Sequence, residues 1–432
     1  MGRGAALSDS RHSRHRSESG TVRRGAQGCS EASAVQAVRQ RMHAGTPHRR
    51  AHGFLRGFMR SILQLRTPQV SVGDQHQLGG LNEKASAETA PSVVRFRDPQ
   101  IEMAHGAGGK ASRRLVEGMF APLLFANATT PLGDAARVVI DGSAIAITTD
   151  SFVVKPLQFP GGSIGELAVN GTMNDLAVSG ARGQAMVVTF VLEEGLPTPV
   201  LEGEVRAMAA ALRRAGVVMV AGDTKVVERG KADGMYITTT GIGRPMPQIR
   251  IDGQSVHPGD KILLSGPIGD HGITILLARG ELDLDADLSS DTRCVLPLVE
   301  AMVEEAGPGI RWMRDPTRGG VATSLNELAR DCGLSIVLSE EEIPMRDEVR
   351  GACELLGLDP LHIANEGQFL AVVAPEYADA ALNALNKTEG GEDAVIIGEV
   401  RTEPACAVLV TTRYGGSRIV DMLVGDPLPR IC

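Results

Sequence analysis

From residue 94 onward, short apolar runs alternate with stretches in which apolar residues recur at helical spacing, and this alternation constrains the fold most strongly. The runs of strand length are VVIDGSAIAITTD (138–150, two strands around an Asp-Gly turn), MVVTFVL (186–192), GMYITTTGIG (234–243), DKILLSG (260–266), LSIVLS (334–339), FLAVVA (369–374), AVIIGEV (394–400), CAVLVTT (406–412) and SRIVDML (417–423). Helical spacing is found at 163–179, 199–215, 272–279 and 320–331. Both kinds occur on each side of a Pro- and Gly-containing stretch at 247–258, so the pattern predicts two α+β or α/β domains of comparable size.

The first 97 residues differ in composition from the rest of the chain. Residues 1–70 contain 13 Arg, no Lys and three acids, which gives a charge of +10 and leaves −18 for the remainder of the chain. This segment has too little apolar surface to offset the entropy of ordering, so we predict that 1–97 is mostly disordered, with a short basic helix at 53–65. Its Arg-rich composition also fits an organelle transit peptide, or the segment precedes a true translation start at Met59 or Met103.

Charge and composition exclude several classes of function for the body of the protein. Its negative charge would repel the phosphates of a nucleic acid. No apolar run approaches the ~18 residues that a membrane-spanning helix requires. The cysteines show no metal-binding spacing and no secretory segment precedes them; they are Cys29, Cys294, Cys332, Cys353, Cys406 and Cys432. We therefore expect a cytoplasmic protein that binds neither nucleic acid nor membrane.

A glycine-rich loop, HGAGGK at 105–110, precedes a run with helical spacing. A helix that begins directly after such a loop can bind phosphate at its N-terminus. The loop is not a P-loop, because Ala104 and Ala111 stand where that motif requires Gly and Ser or Thr. On these residues alone, a tight turn is an equally good interpretation.

Six aspartates lie beside small residues at predicted strand ends or turns: Asp134, Asp150, Asp175, Asp223, Asp270 and Asp315. Such positions leave room for a polyphosphate and its metal ion, and Mg²⁺ prefers oxygen ligands. Any single Asp is better explained as a turn or helix cap, but the set favours a nucleotide site. Lys225 could neutralise phosphate charge and Glu366 could act as a general base, although each also fits a surface or structural role.

Ten motifs follow one another from residue 104 to the C-terminus: AHGAGGK, TTDSFVVKPLQFPGGSIGELAV, GTMNDLAVSGA, LEEGLP, GDTKVVERGKADG, LSGPIGDHGI, RDPTRGGVAT, VRGACELLGLDPL, ANEG and LPRIC. In this order they resemble the hydrogenase maturation factor HypE, a carbamoyl dehydratase in the superfamily of aminoimidazole ribonucleotide synthetase, selenophosphate synthetase and thiamine-monophosphate kinase. The resemblance covers about residues 101–432. The terminal PRIC is its most discriminating element, because the other branches of the superfamily lack it.

The resemblance implies an α+β, two-domain PurM-like fold. An N-terminal ATP-binding and dimerisation domain would span 98–250, a C-terminal α/β domain 251–420, and a flexible tail 421–432. It further implies that the Cys432 thiol receives a carbamoyl group from the carbamoyltransferase HypF. ATP then drives dehydration of this S-carboxamide to an S-cyanate, and the cyano group passes to the iron of a [NiFe]-hydrogenase precursor on HypC and HypD. A homodimer is implied as well.

The same resemblance assigns roles to individual residues. The implied catalytic residues are Cys432, Glu366 and Lys225. The implied ATP-binding residues are His105, Gly106, Gly108, Gly109, Lys110, Asp134, Asp150, Asn174, Asp175, Asp223 and Asp315. The implied Mg²⁺ ligands are Asp134, Asp150, Asp175 and Asp315. Two departures are visible: Lys110 stands where the family often has Arg, and GDAAR (133–137) has one acid where many relatives have two, which leaves the number of metal ions open.

Two alternatives stay open beside this interpretation. Another ATP-dependent enzyme of the superfamily would not need the PRIC tail, and a selenophosphate synthetase would need a reactive Cys near the glycine loop, whereas no Cys occurs between 30 and 293. A non-catalytic carrier of the carbamoyl or cyano group would not need the aspartate set, Lys225 or Glu366.

Overall fold

The computed structural model describes residues 95–124, 133–280, 286–423, 425, 428 and 430–432. Most of the predicted disordered segment 1–97, including its helix at 53–65, lies outside the described residues. Within the described ranges, no helix combines the length and the apolar character needed to cross a lipid bilayer.

The glycine loop leads into a short helical segment ahead of the first sheet. A single 3₁₀ turn, Met103–Gly106, precedes α1 (Gly109–Leu115). A π-helical turn, Val116–Phe120, then joins α1 to α2 (Ala121–Leu124). The run predicted to be helical after the glycine loop is therefore helical, but irregular.

The N-terminal half is built on a five-stranded sheet. Its strands are β1 (Ala136–Ile140), β2 (Ser143–Phe152), β5 (Ala181–Glu193), β6 (Val218–Val227) and β7 (Met235–Pro245), and a small hairpin of β3 (Gln158–Phe159) and β4 (Gly162–Ser163) lies apart from them. The spatial order is β1-β2-β7-β5-β6, in which β5 and β6 pair in parallel and the other neighbours are antiparallel. The predicted Asp-Gly turn joins β1 to β2 at Asp141 and Gly142. The edge strand β6 was not predicted, because Gly222, Asp223 and Lys225 interrupt its apolar pattern.

Two helices cover one face of this sheet. They are α3 (Ile164–Val178) and α4 (Thr198–Ala215), close to the predicted bounds. Helix α3 is buried along almost its whole length and packs against β2, β5 and β7. Buried and less buried residues alternate along β7, as expected of a strand in a sheet that is covered on one side. Asp175 lies inside α3 and Asp150 inside β2, so these two aspartates are not at the strand ends that the sequence suggested.

The C-terminal half contains a seven-stranded mixed sheet with helices on both faces. Its strands are β8 (Lys261–Leu264), β9 (Ile310–Arg314), β10 (Ser335–Ser339), β11 (Leu370–Val373), β12 (Val395–Arg401), β13 (Ala407–Thr411) and β14 (Ser417–Val420). Their order is β14-β13-β10-β12-β8-β11-β9. Its helices are α5 (Asp270–Ala278), α6 (Leu296–Ala306), α7 (Gly320–Cys332), α8 (Asp347–Leu356) and α9 (Pro375–Asn386). One apolar core lies under α7, and a second lies under α6 and α9 and includes Ala177 and Val178 of α3.

Residues 430–432, at the end of the predicted flexible tail 421–432, are docked against the chain that follows β2. Ile431 forms an antiparallel bridge with Val154. The Val153 amide donates to the Cys432 carbonyl oxygen at 2.9 Å, and the Lys155 amide donates to that of Arg430 at 3.2 Å. Leu428, Ile431 and Cys432 are buried in an apolar cluster to which both halves contribute. The physical reason is that burial of a Leu or Ile side chain contributes about 1.5–3 kcal/mol, which offsets the entropy lost by an ordered end.

Candidate active site

Three carboxylates from both halves of the protein meet between the two sheets. Asp134 precedes β1, Asp175 lies on α3, and Asp315 directly follows β9. One carboxylate oxygen of each lies within 4.8 Å of the others. We call these three residues the acidic trio. The fourth predicted metal ligand, Asp150, is not a member of this group.

Neighbouring side chains orient the trio. The Thr148 hydroxyl oxygen lies 2.7 Å from both Asp175 Oδ2 and the Asp134 carbonyl oxygen. Arg314 Nε lies 3.0 Å from Asp134 Oδ1, and the same guanidinium also pairs with Glu327. Arg314 is therefore shared between Asp134 of the trio and Glu327.

Burial makes this arrangement costly when all three groups are ionised. It raises the pKa of Asp134, and it raises the pKa of Asp315 to about 8, with the charge of Asp134 adding to the effect and Arg314 opposing it. Burial likewise raises the pKa of Asp175 well above its usual value, and the charges of Asp315, Asp134 and Asp150 raise it further. Clustered carboxylate oxygens with surplus negative charge suit a hard divalent cation, so the trio could hold Mg²⁺.

A cleft of about 330 Å³ opens beside the trio. Its walls include Asp134 and Asp315 of the trio, His105 and Gly106 of the glycine loop, and the start of α7. Thr323 on α7 lines this cleft and is 7% exposed, and its hydroxyl has no hydrogen-bond partner within the described part of the chain. A buried hydroxyl without a partner carries a desolvation cost, which a bound polar ligand would relieve.

The glycine loop packs closely against the C-terminal half. Gly108 and Gly109 have φ values of 75° and 74°, and a Cβ added to them would lie 2.8 Å from the Arg318 carbonyl oxygen and 2.5 Å from that of Leu423. Only glycine fits both the conformation and the space. The Lys110 side chain pairs with Asp421, so its charge is already engaged.

His105 has a structural contact on each ring nitrogen. Its Nδ1 accepts a hydrogen bond from the Glu102 amide at 2.9 Å, so Nε2 carries the proton that it shares with Asp98 Oδ2 at 2.8 Å. The ring is buried and contacts Phe96 edge to face. His105 thus supports the loop at the rim of the cleft.

Arg318, which sequence reasoning overlooked, connects the parts of this site. Its guanidinium lies 3.6 Å from Asp150 Oδ1 and donates to the Gly106 carbonyl oxygen at 3.1 Å. Negative charge at Cys432 raises its pKa most strongly; burial opposes this shift, and Asp150 and Glu366 add to it. The signal was present in RDPTRGG, the motif from which only Asp315 was chosen.

Glu366 is a fully buried acid close to the trio. It is 2% exposed, and its Oε1 atom has no hydrogen-bond partner among the described residues. A Cβ added to Gly171 of α3 would lie 3.7 Å from its Oε2, so the carboxylate lies against that helix. Burial raises its pKa well above the usual value, the charges of Asp315 and Asp150 raise it further, and Arg318 opposes them. A carboxylate with a raised pKa is a better proton acceptor near neutral pH.

Three predicted site residues are placed elsewhere. Asp223 and Lys225 lie on the edge strand β6, where their side chains are 60% and 66% exposed and form an ion pair at 2.5 Å. The Asn174 side chain joins the two halves: Nδ2 donates to the carbonyl oxygens of Arg293 and Glu366, and Oδ1 accepts from the Val295 amide. The structure therefore does not bring Lys225 to Glu366 within one chain, and it gives Asn174 backbone contacts where the sequence suggested ATP.

Comparison with known proteins agrees with this architecture. The chain matches the AIR synthase related protein N-terminal domain at 133–244 and the corresponding C-terminal domain at 257–411. Carbamoyl dehydratase HypE of Azotobacter vinelandii is 49% identical over 341 residues, which cover 79% of this chain and 100% of the relative.

Two solved structures are similar along nearly their whole length. A HypE–HypF complex has a TM-score of 0.67 at 44% identity and covers 72% of this chain and 99% of the matched chain. HypE in complex with ATP has a TM-score of 0.64 at 44% identity, and the match covers 76% of this chain and 99% of the matched chain. By this identity and coverage, the chain belongs to the HypE carbamoyl dehydratase family of AIR synthase-related proteins.

Proposed function

We propose that this protein uses ATP to dehydrate a carbamoyl group carried on the Cys432 thiol, which yields an S-cyanate that supplies the cyanide ligand of [NiFe]-hydrogenase iron. The family supports the reaction, and a solved relative is described as a complex with ATP. The observation that carries the proposal is the contact of residues 430–432 with Val153 and Val154, which directly follow the strand that carries Asp150. The Arg318 guanidinium lies 3.6 Å from Asp150 Oδ1. The C-terminal cysteine therefore docks beside the strand that carries Asp150, and Arg318, the partner of Asp150, lines the acidic cleft.

The reaction balances without an external oxidant or reductant. The carboxamide oxygen takes the γ-phosphoryl group of ATP, which turns a poor leaving group into phosphate. The C–O bond then breaks while the nitrogen loses its protons, so the thiol carries a nitrile and the products are ADP and phosphate. Glu366 would accept a proton from nitrogen, and no described residue hydrogen-bonds to Oε1 of its buried carboxylate.

The acidic trio is the proposed site for Mg²⁺. A bound Mg²⁺ would neutralise phosphate charge on the nucleotide. Asp134, Asp175 and Asp315 would hold it, and Thr148 and Arg314 would keep the carboxylates in place. Asp150, outside the trio, would instead orient Arg318 toward the phosphates and the tail.

We also propose a homodimer formed through the uncovered face and edge of the first sheet. Several apolar side chains there are exposed; they are Val138, Val139 and Ile140 of β1 and Val218, Val220 and Val226 of β6. Exposed apolar patches of this kind mark protein–protein interfaces. A second copy bound there would cover the Asp223–Lys225 pair. The pair could then contribute to the active site of the second copy, although it lies away from the site of its own chain.

The proposed partner proteins must reach the Cys432 thiol, which is buried in the docked tail. The residue is 9% exposed in the docked tail, so HypF can load it only after residues 430–432 leave their contacts. One solved relative is described as a complex with HypF. We propose HypF as the carbamoyl donor and the HypC–HypD complex as the acceptor of the cyano group, with the reactions taking place in the cytoplasm.

The test is intact-mass analysis of the full chain after incubation with HypF, carbamoyl phosphate and Mg²⁺-ATP. The expected sequence is a gain of one carbamoyl group followed by loss of one water. A carbamoyl group that stays intact with ATP present would contradict the dehydratase activity and support a carrier. Loading at a residue other than Cys432, identified by peptide mapping, would contradict the role of the tail.

A further inference from the structure

We infer that residues 290–293, which connect α5 to α6, are a positioning element that holds the Cys432 tail and Glu366 in register. The inference rests on the proposed function, because it assigns a role relative to that base and that thiol. The four residues are Ser290, Asp291, Thr292 and Arg293. Ser290 is linked to the tail through His271, whereas Asp291 and Arg293 bind the backbone around Glu366. We call these the tail side and the base side of the segment.

On the tail side, a chain of hydrogen bonds ends at the tail backbone. His271 Nε2 lies 2.5 Å from the Ile431 carbonyl oxygen, and His271 Nδ1 lies 2.7 Å from Ser290 Oγ. A carbonyl oxygen can only accept, so Nε2 carries the proton and Nδ1 accepts one from the Ser290 hydroxyl. Ser290 Oγ in turn accepts from the Thr292 amide at 3.1 Å. The direction of every bond is therefore fixed, and the neutral ring is set to recognise the residue next to Cys432.

On the base side, the segment binds the backbone around Glu366. The two oxygens of Asp291 accept from the amides of Glu366 and Gly367, each at 3.0 Å. Arg293 donates to the Gly367 carbonyl oxygen at 2.8 Å and to Gln368 Oε1 at 3.1 Å. A Cβ added to Gly367 would lie 1.8 Å from the Asp291 carbonyl oxygen, so the two backbones touch. These contacts fix the Glu366 backbone and leave its carboxylate to react.

Helix α3 of the other half anchors the same segment. Asn170 Nδ2 lies 3.3 Å from Thr292 Oγ1, and Asn174 Nδ2 donates to the Arg293 carbonyl oxygen at 2.9 Å. Ser290 also donates its amide to the Pro160 carbonyl oxygen at 2.9 Å. Ser290 and Asp291 are consecutive residues, so their Cα atoms are only about 3.8 Å apart. Because one is linked to the tail and the other to the Glu366 backbone, the segment holds the tail and Glu366 at a fixed separation. Misplacement of a reacting group by ~1 Å can cost about 10²-fold in rate.

Asp291, Ser290 and His271 are thus positioning residues, and two readouts separate them from a general structural role. The first is the single-turnover rate of water loss from carbamoylated full-length protein with Mg²⁺-ATP, compared with the ATP dissociation constant. The second is the rate at which iodoacetamide alkylates Cys432 in the unloaded protein. A structural defect would change ATP affinity and the thermal midpoint together with the rate.

For the base side, Asp291→Ala is compared with Asp287→Ala, an exposed acid of the same connection. We expect Asp291→Ala to lose water about 100-fold more slowly, with unchanged ATP affinity and unchanged alkylation. Asp291→Asn, which keeps one acceptor, should recover part of the rate. Wild-type rates in both Asp291 variants, or equal slowing in Asp287→Ala, would overturn this half of the inference.

For the tail side, His271→Ala is compared with His257→Ala, which changes an exposed histidine. We expect His271→Ala to be alkylated at Cys432 at least 10-fold faster and to dehydrate more slowly, with ATP affinity retained. Ser290→Ala removes a single hydroxyl and should show the same direction even if the fully buried His271 proves necessary for folding. Unchanged alkylation in Ser290→Ala and in folded His271→Ala would overturn this half.

The wild-type protein separates this inference from the proposed function. If carbamoylated wild-type protein loses no water, the proposed function itself fails. If it does lose water while the Asp291, Ser290 and His271 variants match it, only the positioning role fails.

Discussion

Two groups of charged residues carry family motifs, yet they lie in opposite environments. Asp315 and Glu366 are buried and Asp134 and Asp175 are half-buried where the two halves meet, whereas Asp223 and Lys225 are exposed on an edge strand. Burial raises the pKa of the first group, while hydrogen bonds from Lys225 and the Thr224 amide lower that of Asp223. The difference teaches that the chemistry we propose for the buried group needs only one chain, and that the exposed pair would need a second surface to take part in it.

The largest expected effect is at the tail. Cys432→Ala should abolish formation of the cyano group, because it removes the thiol to which we propose that the group is bound. ATP affinity should stay near the wild-type value, since the cleft is lined by other residues. Intact mass and calorimetric titration measure the two quantities. Cys406→Ala, a change at an exposed cysteine, is the control; loss of ATP binding in Cys432→Ala would contradict the separation of tail and cleft.

The next effect tests the buried base. Glu366→Gln should bind ATP and accept the carbamoyl group but lose water about 10²–10⁴-fold more slowly, because general base catalysis is removed. Single-turnover mass analysis measures the rate. Glu376→Gln, an exposed glutamate on α9, should behave as wild type. A normal rate in Glu366→Gln would show that the base is another residue.

A smaller effect concerns the trio. Asp315→Asn should weaken Mg²⁺-dependent ATP binding by about tenfold or more, since one of three carboxylate ligands is lost. Titration with Mg²⁺-ATP and with ATP in chelator measures the difference, and Asp347→Asn on the surface of α8 is the control. Equal weakening with and without Mg²⁺ would argue that Asp315 contacts the nucleotide and not a metal ion.

The next prediction tests whether the exposed strand β6 forms the proposed dimer interface. Val220→Asp places a charge on the uncovered part of β6, where Val220 is 59% exposed, and should shift the protein from dimer toward monomer. Sedimentation measures the mass, and Val205→Asp on α4 is the control for an added charge at an exposed valine. If Lys225 acts across that interface, the dehydration rate of Val220→Asp should rise with protein concentration. A monomeric wild-type protein with full activity would contradict this use of the pair.

The smallest effect is on stability against pH. Folded Asp315 has a pKa of about 8 against about 3.8 unfolded, so between these values the native state holds a proton that the unfolded state has released. In chelator, the free energy of unfolding should therefore fall as pH rises from about 4 toward 8. Asp315→Asn should flatten this slope and Asp223→Asn should not. Urea unfolding at a series of pH values measures it, and a slope of the opposite sign would contradict the buried, repelling trio.

Segments with a regular apolar period were predictable, because the period indicates both the type of element and the face that is buried. Helix α3 and the β1–β2 hairpin match the predicted ranges closely. Strand β6 was missed because an exposed edge strand has no buried face to impose alternation. Strand β9 was missed because it is short and carries Arg311 and Arg314, and helices α6, α8 and α9 were not proposed. The candidate acids of the trio were named from their motifs, but Arg318 and Asp291 were not.

The sequence by itself determined the family, the two-part α+β pattern, the candidate C-terminal cysteine and the identity of most candidate acids, because these depend on residue type and order. Only the tertiary structure decided which acids share a site, that Lys225 and Glu366 lie in different environments, and that the tail is docked. Those facts depend on burial and on contacts between residues far apart in the chain, such as His271 with Ile431 and Asp291 with Glu366. The electrostatic cost of a charge is set by its surroundings, and the fold creates those surroundings.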